Sequence, residues 1–120
     1  MATIDLALDW TPNTNHTGFY VAQAKGYYND QDVDVEIHSP GDTEYETTPA
    51  KQVATGEATV AIAPSESAIS YHTHPEYDSL TAIAAVCQTD MSAIVTLEDS
   101  GLDRPADLDG QTYASYDARF

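Results

Sequence analysis

The residues best suited to chemistry lie in a few short stretches. Trp10, the only tryptophan, stands where an alternating apolar segment gives way to the loop Trp10-Thr11-Pro12-Asn13-Thr14-Asn15. An indole in that position can stack on a flat ring or act as an apolar lid over the end of a sheet, and loop position alone leaves both open. Asn13, Asn15 and His16 place neutral donors and acceptors beside it, although the same residue types form turns and cap helices. Ser65-Glu66-Ser67 is a second candidate. Free backbone N–H groups at a helix start, with two hydroxyls, can receive an anionic or amide group. Capping would also explain the serines, with Ser65 as the cap, and Glu66 suits the helix dipole without any ligand.

Other groups carry less. His72 and His74 share a face only if their segment is extended, and no third Cys or His follows at ligand spacing, so a surface loop is expected there and no metal. Cys87 falls inside an apolar run and reads as a small core residue. Tyr113 and Tyr116, with Asp117 beyond them, can face a ligand or simply pack. Glycines stand singly rather than in a phosphate loop, and G-x-S-x-G, a spaced His-Asp-Ser set and a cysteine cluster are all absent from the sequence. The residues therefore lead to a ligand-binding lobe, with no reaction and no cofactor.

The elements that must hold these groups follow from periodicity. Thr3 to Asp9 alternates apolar Ile4, Leu6 and Leu8 with smaller or polar residues, which predicts a strand. His16 to Tyr27 suits a helix capped by Asn15 and stopped by Gly26. Val33 to Ile37 alternates again, Ser39 to Glu46 is a polar loop, and a helix from about Thr47 should end at Gly56. Thr59 to Ala63 predicts a third strand, followed by a helix from Ser65 towards Tyr71. Leu80 to Cys87, Ala93 to Leu97 and Gln111 to Tyr116 read as further strands, with a turn or short helical piece between Leu102 and Asp109. Strands alternating with helices specify an α/β layer with a mostly parallel sheet and right-handed crossovers. Ligands in such sheets sit beyond the carboxyl ends of the strands, where the loops at Asp9–His16 and Pro64–Ser67 fall.

The chain has 120 residues, 42% of them hydrophobic, enough for one modest domain or a piece of something larger and too apolar for a disordered tail. Its 20 Asp and Glu against 4 Lys and Arg give a formal net charge of −16, which excludes nucleic acid and anionic membrane surfaces as partners. The acids are spread from Asp5 to Asp117, and Lys25 and Lys51 are the only lysines. That is the composition of a solvated acidic surface adapted to high salt, where screening within ~3 Å at molar ionic strength makes self-repulsion tolerable. A lone Cys87 allows no intrachain disulfide. The start, Met1-Ala2-Thr3-Ile4-Asp5, has the features of neither an export signal nor a lipidation site. The localisation expected as encoded is cytoplasmic, or extracytoplasmic if the native N-terminus lies further upstream.

Leu8-Asp9-Trp10-Thr11-Pro12-Asn13-Thr14-Asn15-His16-Thr17-Gly18-Phe19-Tyr20-Val21-Ala22, continuing through Lys25-Gly26-Tyr27-Tyr28, closely resembles the thiamine-pyrimidine synthase and binding-protein family. Thr55-Gly56-Glu57, Ala63-Pro64-Ser65-Glu66-Ser67 and Leu108-Asp109-Gly110, leading into Thr112-Tyr113-Ala114-Ser115-Tyr116, extend the likeness over the whole chain. The resemblance implies a type II periplasmic-binding-protein fold, two α/β lobes closing on a thiamine-related pyrimidine. Residues 1–98 would form a first, incomplete lobe and 99–120 the crossover and start of the second, so the chain looks like an N-terminal portion. Trp10 and Asn13 would belong to the pyrimidine-facing wall. Asn15, His16, the loop at Ser65, Glu66 and Ser67, and Tyr113 complete the expected ligand-binding set.

The synthase branch of that family uses a lysine and a histidine in the loop after the third strand, and a later cysteine-rich motif. Ala63-Pro64-Ser65-Glu66-Ser67 contains neither Lys nor His. The expectation is therefore binding of a small-molecule pyrimidine without catalysis, and the alternatives are a pyrimidine-precursor synthase or an inactive fragment. An ABC transporter permease is the partner such a binding protein would serve. Self-association is expected if a half-cleft leaves apolar surface open.

Overall fold

The structure, a computed structural model, describes residues 1–77, 80–89 and 92–114. Two parallel strands form its centre. β1 (Ala2–Ala7) and β2 (Val33–His38) run side by side in register, from Ala2 opposite Val33 to Ala7 opposite His38. A short β3 (Val60–Ala61) joins the other edge of β1, giving the order β2-β1-β3. Parallel neighbours need long return connections. Here the helix α1 (Thr17–Ala24) returns the chain to β2, and α2 (Pro49–Thr55) returns it to β3. Helix α3 (Ser65–His72) follows β3 and packs on α2.

Period-two alternation decides what is buried. Leu6 on β1, Leu8 just beyond it and Val35 on β2 form the core, with Ile4, Phe19, Tyr28 and Ile37 packed against it. Leu8 is only 1% exposed, and its N–H donates to the His38 carbonyl at 2.9 Å, so it seals the carboxyl end of the sheet just past the last residue of β1. Burying such a side chain stabilises the fold by about 2 kcal/mol. On the opposite face Ala7 is 1% exposed, while Asp5 remains partly open.

Helix ends follow local chemistry closely. Thr48 caps α2 by accepting from the Lys51 N–H at 3.2 Å, Pro49 occupies the first helical position, and Gly56 ends the helix at φ +79°. Gly26 takes φ +75° just after α1. The start of α1 differs from expectation. Asn13, not Asn15, is the cap, and it caps a 3-10 turn over Thr14–His16 that leads into the helix. The asparagine two positions earlier prevails because its extended backbone lets its carboxamide oxygen reach the Asn15 N–H at 2.9 Å. At α3 the cap position is Pro64, which has no side-chain acceptor. Ser65 is the first helical residue rather than the cap, and its hydroxyl donates to the Glu66 carboxylate at 3.2 Å.

The later strands are not seen. Residues 80–87, 93–97 and 111–114 have no regular structure, and Ser115, Tyr116 and Asp117 lie outside the described residues. Cys87, expected in a core strand, is exposed. An apolar run becomes a strand only when a neighbour satisfies its backbone, and no such neighbour is present among the described residues. The expected turn near Leu102 to Asp109 is present as a 3-10 helix over Pro105–Leu108.

By packing, Met1–Ala82 form one compact unit and a second begins at Ile83. Within the second unit, Arg104 donates to Asp107 at 2.9 Å, and this guanidinium, aided by two backbone N–H donors, holds the Asp107 carboxyl below the usual carboxylate range.

Candidate functional site

The loop joining β1 to α1 leaves the carboxyl end of the central strand, the position where parallel α/β sheets receive ligands. His16 organises it. The imidazole is 2% exposed, and both ring nitrogens are engaged: Nδ1 accepts from the Asn13 N–H at 3.1 Å, and Nε2 lies 2.7 Å from the Asp9 carboxylate. Because a backbone N–H points at Nδ1, the ring proton must sit on Nε2 and be donated to Asp9. This closes the loop with a side chain buried in its middle. Around it the His16 N–H donates to the Asn13 carbonyl at 3.0 Å, and the Asn13 carboxamide donates to the Thr11 carbonyl at 2.9 Å. Thr17 Oγ1 donates to the Thr14 carbonyl at 2.8 Å.

These bonds fix where Trp10 is presented. The indole is 44% exposed, and its ring centroid lies 5.5 Å from that of Tyr45 at an interplanar angle of 53°. Tyr45 arrives from the loop after β2, and its hydroxyl is hydrogen-bonded to the Thr11 hydroxyl. Neither Tyr45 nor Asp9 is marked out by the sequence, since one is an exposed tyrosine in a polar loop and the other one acid among many.

The remaining expected residues are distributed as follows. Asn15 is exposed, and its N–H is held by Asn13. Ser65 and Glu66 are exposed at the start of α3, whereas Ser67 is 4% exposed, with its N–H donating to the Pro64 carbonyl at 3.1 Å. Tyr113 belongs to the second unit and is 73% exposed. A shallow hollow of about 530 Å³ runs along α1, lined by Pro12, Asn13, Thr14, Thr17, Tyr20 and Val21; Trp10 is not part of its lining.

One group was not foreseen. Asp5 lies opposite Glu36 in the β1–β2 register, and His38 stands two residues beyond Glu36 on the same face. Their donor atoms lie within 4.8 Å of one another, and His38 Nε2 is 2.9 Å from Asp5 Oδ1. His72 is the last residue of α3, and His74 lies in the exposed turn after it, its ring 4.7 Å from that of Tyr77.

Comparison with known proteins supplies the wider context. A family model described as NMT1/THI5 like matches residues 13–120. The formylaminopyrimidine-binding protein of Halalkalibacterium halodurans is 30% identical over 112 residues, covering 93% of this chain and 32% of that protein. A protein of Haemophilus influenzae named for thiamine biosynthesis is 30% identical over 108 residues, covering 90% of this chain and 33% of that protein. The chain thus spans about a third of the length of these curated relatives.

Proposed function

The chain belongs to the NMT1/THI5-like family, whose fold is that of the periplasmic binding proteins, and on that premise we propose that it binds a pyrimidine precursor of thiamine without transforming it. The observation that carries this reading is Trp10, an indole held at the carboxyl end of the central strand by a loop that a buried histidine locks. A pyrimidine is flat and electron-poor, and an indole face is electron-rich, so stacking is the interaction such a ring would use. A pre-formed loop also lowers the ordering cost of binding.

Asn13 and Asn15 place amide groups on the same loop as Trp10, and His16 holds that loop through Asn13 and Asp9. Ser65, Glu66 and Ser67 complete the proposed set within the first unit. The relative from Halalkalibacterium halodurans is named for binding formylaminopyrimidine, which supports the same ligand class. No lysine or histidine occurs between Ala63 and Ser67, which supports binding rather than synthesis. A membrane permease is the partner this reading assigns.

Isothermal calorimetry of the chain with formylaminopyrimidine and with hydroxymethylpyrimidine tests it. Saturable binding of either at one site per chain is expected. Heats indistinguishable from dilution for both would overturn the ligand class. Release of pyrimidine product on incubation with pyridoxal phosphate and iron would overturn the non-catalytic assignment.

A further inference from the structure

The geometry points to a binding site for one divalent transition-metal ion, formed by Asp5, Glu36 and His38 on the face of the sheet opposite Leu6 and Val35. The site stands apart from the loop that carries Trp10 and does not depend on the pyrimidine reading.

Paired strands hold all three residues. Asp5 lies on the central strand, where its carbonyl accepts from the Thr59 N–H at 3.0 Å and its N–H donates to the Thr59 hydroxyl at 3.3 Å. Glu36 is its register partner on β2. His38 pairs with Ala7, and its carbonyl accepts from the Leu8 N–H at 2.9 Å. Ligands carried on strands are placed more precisely than ligands carried on loops. The three ligand atoms lie within 4.8 Å of one another, and His38 Nε2 is 2.9 Å from Asp5 Oδ1. Bonds of about 2.1 Å to one ion set neighbouring ligand atoms roughly 3 to 3.5 Å apart, so the His38–Asp5 pair already has close to that spacing, and rotation of the Glu36 side chain closes the set.

The donor chemistry selects the ion. On a chain with 20 acids, two adjacent carboxylates alone would mean little. Here an imidazole, one of four in the chain, joins them from the neighbouring strand and supplies a nitrogen donor. Magnesium and calcium take oxygen ligands, whereas zinc, cobalt and manganese accept imidazole with carboxylate. A pair between His38 and Asp5 accounts for two of the residues and leaves Glu36 beside Asp5 uncompensated. Among the described residues neither carboxylate is paired with a lysine or arginine. A divalent ion between the carboxylates turns their repulsion into attraction and ties β1 to β2 through side chains. The Asp5 and His38 side chains are 38% and 41% exposed, so the ion enters from solvent and water fills its remaining positions.

The test is titration of the full chain with zinc by calorimetry and with cobalt by visible absorption, in molar potassium nitrate to screen diffuse counterion binding. One ion per chain is expected, with a rise in melting temperature on zinc addition, because the ion binds the folded form. Glu36→Gln, His38→Gln and Asp5→Asn should each weaken zinc at least about tenfold, the loss that even an outer partner of a metal ligand causes. Asp30→Asn, on the exposed turn before β2, should bind as the wild type does. Excess magnesium should not displace the ion. Several weak ions per chain, bound equally by all variants, would show counterion binding by the acidic surface only and overturn the site. Zinc affinity unchanged in Glu36→Gln would reduce the group to a His38–Asp5 pair and also overturn it, as would equal competition by magnesium. Should Asp5→Asn fail to fold, Glu36→Gln and His38→Gln decide by the same criteria. Pyrimidine titrations of the same proteins read the other site separately.

Discussion

His16 and Asp9 lie seven residues apart and are joined by a 2.7 Å hydrogen bond from the imidazole Nε2–H to the carboxylate, with the imidazole 2% exposed and the Asp9 side chain 41% exposed. The buried partner has no other outlet for its proton, so the pair works as a latch on the loop that carries Trp10.

Breaking that latch should cost stability and affinity together. His16→Ala removes the acceptor of the Asn13 N–H and leaves a gap, so a loss of about 2–3 kcal/mol is expected by urea denaturation. Asp9→Asn keeps shape and an acceptor while removing charge, and about 1 kcal/mol is expected. Pyrimidine affinity should fall in the same order. A destabilised His16→Ala protein with unchanged affinity would show that the loop does not depend on the latch to present Trp10.

Trp10→Ala should separate binding from folding. The indole is 44% exposed, so its removal should change stability by less than about 1 kcal/mol, while pyrimidine affinity falls about tenfold or more. Quenching of the single tryptophan's fluorescence by formylaminopyrimidine gives an independent readout in the wild-type chain.

Gly56→Ala tests the end of α2. Nothing lies within 4 Å of a Cβ built there, so the cost is purely that of φ +79° and should be about 1–2 kcal/mol. The comparison is Gly18→Ala inside α1, where a Cβ is also unobstructed and φ lies outside the left-handed region; that change should be neutral or stabilising by up to about 1 kcal/mol.

Tyr28 predicts an alkaline limit. Burial against the core, with its hydroxyl donating to the Phe19 carbonyl at 3.3 Å, raises its pKa above the ordinary tyrosine value. The folded chain therefore holds this proton more tightly than the unfolded chain. Stability from Tyr28 is full below the ordinary tyrosine pKa and declines as pH rises through it towards the raised folded value. Urea midpoints should fall over that range in the wild type and less steeply in Tyr28→Phe.

Salt should stabilise the chain. With a net charge of −16, repulsion among carboxylates opposes the compact state, and screening relieves it. The urea midpoint is expected to rise between low and molar potassium chloride; a flat response would remove the link between this composition and high-salt adaptation.

Much of the first unit was legible from neighbours in the chain. Alternation at Ile4, Leu6 and Leu8, and again at Val33, Val35 and Ile37, marks strands because one face of each must be buried. Gly26 and Gly56 mark helix ends because left-handed backbone is cheap only for glycine. The apolar runs at Leu80 to Cys87 and Ala93 to Leu97 misled for the converse reason. Composition makes a segment able to be a strand, but hydrogen-bonding partners make it one.

The sequence by itself determined the parallel α/β order, the net charge of −16, the family and the placement of Trp10 on a loop, since each depends on residue type or on spacings of a few positions. Only the tertiary structure decided that His16 is buried between Asn13 and Asp9 rather than open, that Asn13 supplies the cap, that Asp5, Glu36 and His38 gather on one sheet face, and that Tyr45 stands beside Trp10. These are contacts across a loop closure or between neighbouring strands. Their energies depend on register and burial, which no single stretch of the chain contains.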